Sequence, residues 1–254
     1  MIQYGLKLWS NNEKYVKEAA QLYAEGVYDY IELYIVPETY QRYIKIWQSV
    51  SIPFILHCTH SIHGFNLAIK EKLDSNLSIF SEVKNFAEGL NAGYIVVHPG
   101  VEGAVSESIR QIILLGDRRL LVENKPYFSM YGDRCRGATI EELREIMKAC
   151  DSGSCLDISH ALNVSWNLKK DHAAYIRELL SLSPKLIHIS DGIFMRNHES
   201  HLSIGEGEFD FSSIRELILN SGVQKMTLET PKKNEGLSDF IRDLTKVRQI
   251  FHHA

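Results

Sequence analysis

Short, continuously apolar runs alternate along this chain with longer segments whose apolar residues recur every three or four positions. The short runs predict strands near 2–9, 29–35, 53–58, 94–98, 119–124, 153–158, 185–190 and 224–229. The longer pattern predicts helices near 12–25, 38–49, 70–91, 104–115, 139–149, 171–182, 211–220 and 237–251. Runs such as Tyr94-Ile95-Val96-Val97 and Leu120-Leu121-Val122 have no polar face, as parallel strands covered on both sides require. The helix near 70–91 sets Leu73, Leu77, Phe80, Lys84, Ala87 and Leu90 on one stripe, and the last helix aligns Leu237, Phe240, Ile241, Leu244 and Val247. Ser10…Glu13 and Thr139…Glu142 have capping-box spacing, and Asp210 is positioned to cap the helix after it.

Eight β–α units in 254 residues predict one α/β domain, residues 1–254, folded as a closed (β/α)₈ TIM barrel. An open doubly wound sheet is the alternative, although no GxGxxG follows the first strand. The long insertions fall after strands three, five, six and seven, where a barrel carries its catalytic loops.

Composition narrows the partners. Charged residues make up 24% of the chain and the net charge is −4, which argues against a whole-surface affinity for nucleic acid. No apolar run reaches the length of a membrane span, and the first residues lack the pattern of a signal peptide. Four cysteines without a CxxC pair fit reduced thiols, so a cytoplasmic protein is expected.

The chemistry lies at the strand ends. Strand four ends Val97-His98-Pro99-Gly100, strand five Val122-Glu123-Asn124, strand seven Ile187-His188-Ile189, and strand eight Leu228-Glu229-Thr230. Strand six continues through Asp157-Ile158-Ser159-His160, His60 follows strand three, and the loop after strand seven carries Glu199-Ser200-His201. Two carboxylates at one rim repel each other unless a cation lies between them, and Lys125 or Arg119 is the plain alternative to a metal. His60, His98, Glu123, Asp157, His160, His188, Glu199, His201 and Glu229 are therefore the candidate ligands of a divalent metal. Mixed imidazole and carboxylate donors suit zinc, manganese or iron better than calcium. One ion with the remaining histidines on substrate, and two or three ions with a bridging carboxylate, both fit the donor count.

These residues resemble the endonuclease IV and xylose isomerase-like TIM-barrel superfamily over nearly the whole chain. His60-Ser61-Ile62-His63-Gly64-Phe65-Asn66-Leu67-Ala68 is similar to the family's His-x-x-Tyr-x-x-Asn-Leu-Ala segment, with His63 in place of tyrosine. Gly153-Ser154-Cys155-Leu156-Asp157-Ile158-Ser159-His160 and His201-Leu202-Ser203-Ile204-Gly205-Glu206-Gly207 resemble two further family motifs. In the AP endonuclease family 2 branch the resemblance implies up to three zinc ions. His60, His98 and Glu123 would hold one, Glu123, Asp157, His188 and Glu229 a second, and His160, Glu199 and His201 a third. In the sugar phosphate isomerase/epimerase branch it implies one ion, often manganese, on Glu123, Asp157, His188 and Glu229. There Glu123 and Glu229 are also the catalytic acid and base.

Two departures favour the second branch. Strand one ends Leu6-Lys7-Leu8-Trp9-Ser10 without the endonuclease Gly-x-His-x-Ser opening, and strand two carries Ile31-Glu32-Leu33, an acidic pattern common among the sugar isomerases. Among the loop cations only Lys125, Arg134, Arg136 and Arg196 are strong candidates for holding DNA phosphates. The expectation is a metal-dependent isomerase or epimerase of a small sugar or sugar phosphate, with Glu32, His160 and Arg196 contacting substrate. A zinc phosphodiesterase acting on nucleic acid is the alternative, and a non-catalytic metal or sugar binder is a third reading. Tyr28, Tyr30, Tyr34, Tyr40, Tyr43 and Trp47 are expected mostly in the core, with a pocket lining or homodimer contact as the other role.

Overall fold

The computed structural model describes residues 2–194 and 200–251. Eight parallel strands pair in sequence order and close on themselves. They are β1 (Gln3–Trp9), β2 (Tyr30–Tyr34), β3 (Phe54–His57), β4 (Ile95–Val97), β5 (Leu120–Glu123), β6 (Gly153–Asp157), β7 (Leu186–Ile189) and β8 (Lys225–Leu228). Closure is made between β1 and β8, with Leu6 opposite Leu228. The helices are α1 (Val16–Ala24), α2 (Tyr40–Gln48), α3 (Leu73–Gly89), α4 (Val105–Leu115), α5 (Ile140–Cys150), α6 (Ile158–Asn167), α7 (His172–Leu180), α8 (Ser212–Asn220) and α9 (Ser238–Phe251). No described helix is long and apolar enough to cross a membrane.

Strand alternation divides the core into two layers. Leu33, Leu56, Val97, Val122, Ile187 and Leu228 share the larger cluster with helix residues such as Phe80 and Phe240. Tyr30, Ile55, Val96, Leu121, Cys155 and Leu186 form a separate cluster that plugs the barrel. Gly5 belongs to this inner level by register, opposite Tyr30 on one side and Thr227 on the other. A side chain there would clash, because an added Cβ would lie 2.4 Å from the Tyr30 ring.

The next inward position on every strand is two residues further on. Those positions hold Lys7, Glu32, His57, His98, Glu123, Asp157, His188 and Glu229. An apolar plug thus carries a complete ring of ionisable groups above it.

Three local expectations change. Helix α6 was not anticipated, because Ile158 to Ser165 are all buried and leave no polar face to read. On α3 the inward residues are Asn76, Phe80, Val83, Phe86 and Ala87, while Leu77 is 38% exposed. Asn76 takes an inner place because its amide is satisfied, donating to Asn66 O at 2.9 Å and Gln111 Oε1 at 2.7 Å. Ser10 does not cap the first helix; its hydroxyl instead meets Thr39 Oγ1 at 2.7 Å and accepts from Val36 N. Thr139 does cap α5, accepting from Glu142 N, and Asp210 accepts from Ser212 N at the start of α8. Tyr28, Tyr30, Tyr34 and Trp47 are buried.

Candidate metal centre

Glu123 is the hub of the ring and is 1% exposed. Its Oε2 lies 3.0 Å from His57 Nε2, 3.2 Å from His98 Nε2 and 3.4 Å from His188 Nδ1. Its Oε1 lies 3.1 Å from His160 Nδ1 and 3.6 Å from Lys125 Nζ. Burial would raise the Glu123 pKa, but His98 and Lys125 lead the groups that hold it well below the usual carboxylate range.

Glu229 sits beside it at the end of β8, with Oε1 2.9 Å from His188 Nδ1 and ion-paired to Lys7. Burial opposes its ionisation as well, and His188 and Lys7 overcome it. The other edge of His188 is fixed from below, where Nε2 meets Glu32 Oε2 at 2.9 Å. Glu32 also takes Lys7 Nζ at 2.7 Å and the Thr227 hydroxyl at 2.6 Å. A carboxylate on one imidazole nitrogen, with the other nitrogen turned to a cluster of acids, is the arrangement by which proteins orient a metal-binding histidine.

Asp157 ends β6 and caps α6, accepting from His160 N at 2.7 Å. Asn124 ties its backbone to β5 through bonds of 2.7 and 2.9 Å. The Asp-x-x-His spacing therefore serves two purposes, a helix cap and the convergence of two ligand side chains. His201 Nδ1 lies 2.9 Å from Ser190 Oγ and 3.9 Å from Glu229 Oε2.

Ligand atoms of His57, His60 and His98 fall within 4.8 Å of one another, as do those of Asp157, His160 and His201, and those of Glu123, Cys155 and His188. A fourth group, Glu32, His57, His188 and Glu229, meets the same limit. There the Lys7 ammonium already bridges Glu32 and Glu229 as a fixed counter-ion.

The residues fit a divalent cation on two further observations. Among the described residues His60 Nε2 and Asp157 Oδ2 are buried without a hydrogen-bond partner, a costly state for polar atoms unless a ligand engages them. Burial, reinforced by His98 and His57, keeps the His60 pKa well below the ordinary imidazole value. Burial, with Lys125 next, lowers that of His98 to about 3. Both rings are therefore neutral, the form that binds metal. Burial raises the Asp157 pKa, as expected of a carboxylate with no fixed cation against its second oxygen.

A cavity of about 880 Å³ opens onto this ring, with Lys7, His60, His98, Lys125, His201 and Glu229 along its inner surface. Of the predicted ligands, His60, His98, Glu123, Asp157, His160, His188, His201 and Glu229 converge here. Glu199 and Arg196 lie outside the described residues. Glu32 and His160 are 1% exposed or less and neither is among the residues lining the cavity, as is also true of Glu123, Asp157 and His188. Lys7 and His57 are additional members that strand-end polarity did not reveal. Counting two residues on from each inward apolar position identifies both. His63 carries no ligand geometry; its Nδ1 lies 2.6 Å from the Tyr34 hydroxyl, which in turn accepts from His60 N.

The family model described as xylose isomerase-like TIM barrel matches residues 18–248. The chain belongs to this family. A probable endonuclease 4 of Thermoplasma volcanium is 28% identical over 183 residues, covering 66% of this chain and 63% of that protein. Within the xylose isomerase-like fold, the structure of a D-tagatose 3-epimerase-like protein aligns with a TM-score of 0.72 at 20% identity, covering 98% of this chain and 97% of the other. Endonuclease IV of Thermus thermophilus aligns at 0.69 and 21% identity, covering 99% and 100%. The structural neighbours thus include an epimerase-like protein and an endonuclease, and at these identities the likeness carries the fold.

Proposed function

We propose that this xylose isomerase-like protein is a divalent-metal-dependent isomerase or epimerase acting on a sugar or sugar phosphate. The observation that carries the reading is the pair Glu123 and Glu229, brought from β5 and β8 to either side of His188 Nδ1 at 3.4 and 2.9 Å. Two ionised carboxylates about one point, Glu229 at the cavity surface and Glu123 behind it, suit proton removal and return at a single carbon. Glu123, Asp157, His188 and Glu229 would hold the ion, manganese or zinc by donor type, which supplies Lewis acidity toward sugar oxygens and so acidifies the neighbouring C–H. Glu229 faces the cavity and accepts the proton at a carboxylate oxygen, while His188 and the Lys7 ammonium keep that carboxylate anionic against burial beforehand. Glu123 exchanges the proton from the β5 side.

A small substrate is favoured over a nucleic acid by the state of the loop cations. Lys125 is 9% exposed and turned toward Glu123, while Arg134 and Arg136 both pair with Glu142. These described candidates for phosphate contacts face inward partners. The second reading, a zinc phosphodiesterase of the abasic-site endonuclease kind, rests on a different observation. The groups His57/His60/His98 and Asp157/His160/His201 offer places for ions beside the central one, up to three in all.

Metal analysis combined with two assays separates the readings. Solvent deuterium exchange into ketoses, without cleavage of a duplex carrying an abasic site, is the expected result. Three tightly held zinc ions with strand cleavage and no exchange would replace it with the hydrolase. Glu229→Gln should abolish exchange; an unchanged rate would remove Glu229 from the chemistry.

A further inference from the structure

The cavity is larger than the ring of ionisable groups needs, and its charge is uneven. Its 880 Å³ lies near the upper end of the roughly 300–1,000 Å³ that encloses drug-sized ligands, well beyond what a single neutral monosaccharide fills. Four lysines line it, Lys7, Lys14, Lys125 and Lys232, against Glu229 as the acidic member among the lining residues. Lys7 and Lys125 are committed to Glu32, Glu229 and Glu123. Lys14 and Lys232 are not. The Lys14 ammonium lies 4.7 Å from the centre of the Tyr15 ring, and Lys232 Nζ reaches Thr230 O at 3.5 Å. Among the described residues neither lies within ion-pair distance of a carboxylate.

Topology puts these two lysines in one sector. Lys14 follows β1 and Lys232 follows β8, the strands that pair to close the barrel. The loops that carry them are therefore neighbours at the rim, above Lys7 and Glu229. Asn12 and Thr230 line the cavity in the same two loops and add hydrogen-bonding capacity, while Trp9, 47% exposed, supplies an apolar wall. Cations outside ion-pair distance of a carboxylate, grouped at one side of a concave site, raise the local concentration of anions and bind them once desolvated.

We infer that the rim between β8 and β1 is an anion subsite, in which Lys14 and Lys232 hold a phosphate or carboxylate group borne by the substrate at a distance from its reacting carbon. The inference rests on the reading of the site as one for sugars, and it makes the substrate an anionic sugar derivative. Lys14 and Lys232 act as specificity-determining residues and take no part in proton transfer.

The test is calorimetric titration of the metal-loaded protein with inorganic phosphate, acetate, D-fructose and D-fructose 6-phosphate, in the wild type and in the double variant Lys14→Met/Lys232→Met. Methionine keeps the aliphatic stem and removes the charge, and circular dichroism and metal content check that the fold and the ring are intact. The wild type should bind the 6-phosphate at least about tenfold more tightly than fructose, and the double variant should lose that margin. Inorganic phosphate should weaken by a similar factor. Acetate weakening in place of phosphate would identify the anion as a carboxylate. If neither anion responds to the double substitution, the subsite is refuted, and if fructose and its phosphate bind alike it is refuted unless acetate binding depends on the two lysines. Deuterium exchange keeps the two proposals apart. Loss of exchange with lysine-dependent phosphate binding retained would end the isomerase reading alone. Exchange on neutral ketoses with lysine-independent binding would end the subsite alone.

Discussion

Lys7 and Glu32 are direct register partners on β1 and β2, and the Lys7 ammonium lies 2.7 Å from Glu32 Oε1 at the base of the pocket. The same ammonium pairs with Glu229, so one cation ties two acids from strands on either side of β1. Burial alone would lower the Lys7 pKa, yet Glu229, Glu32 and Glu123 raise it above the ordinary lysine value. Lys7→Met should leave these acids without their fixed cation and destabilise the metal-free protein by about 3 kcal/mol. Lys7→Met/Glu32→Gln should recover part of that loss. Denaturant unfolding after chelator treatment measures both, and a single variant as stable as wild type would show that the pair is dispensable.

Glu32 acts through His188. Its Oε2 holds His188 Nε2 at 2.9 Å and so sets the direction of Nδ1 toward Glu123 and Glu229. Its pKa is lowered to about 2: burial works against ionisation, and His188 and Lys7 outweigh it. Glu32→Gln should weaken metal binding by about 10–100-fold, read by competition with a chromogenic chelator. Equal affinity in the two proteins would mean that His188 is held by packing.

Acid should destabilise the metal-free protein from an unusually high pH downward. The folded pKa of His98 is about 3, while an unfolded histidine titrates near pH 6.5. Between these values the unfolded chain binds the extra proton, so the His98 contribution to stability is fully present above about pH 6.5 and falls as pH drops. The slope is at most about 1.4 kcal/mol per pH unit for each such histidine, and His60 acts in the same direction. Glu32 adds its own loss as pH falls below about 4.3 toward 2. Unfolding free energies from pH 7 to pH 5 should therefore decline in wild type and decline less steeply in His98→Gln, where His60 still contributes. Parallel curves would place the effect elsewhere.

Asp191 organises the loop that carries His201. Its carboxylate accepts from the backbone N–H of Gly192, Gly205, Gly207 and Phe209 at 2.8 to 3.2 Å. A Cβ at Gly207 would lie 2.3 Å from that carboxylate, which explains the glycine. Asp191→Asn presents an amide donor to four donors and should cost about 1–3 kcal/mol. Hydrogen exchange should quicken at Gly205, Gly207 and Phe209; protection as in wild type would show the loop is held by other contacts.

Much of the site was legible in the chain because a barrel strand ends abruptly, and a charged group at such an end has few purposes. His98, Glu123, His188 and Glu229 stood out against apolar runs terminated by Pro, Gly or Asn. Lys7 and His57 did not, since Leu8-Trp9 and Cys58-Thr59 follow them without a strand-ending Pro, Gly or Asn, and their facing depends on which alternate positions turn inward. Helix α6 escaped for the opposite reason: burial on all sides erased the periodicity that reveals a helix.

By itself, then, the sequence determined the eight strands, their order and the chemical types gathered at their ends, because hydrophobic period and strand termination are local properties. Only closure of the barrel decided which groups meet. The pairing of β1 with β8 brought Lys7 against Glu229, and the inward register of β2 and β7 brought Glu32 against His188. These relations depend on the stagger of strands far apart in the chain, and no local spacing encodes that stagger.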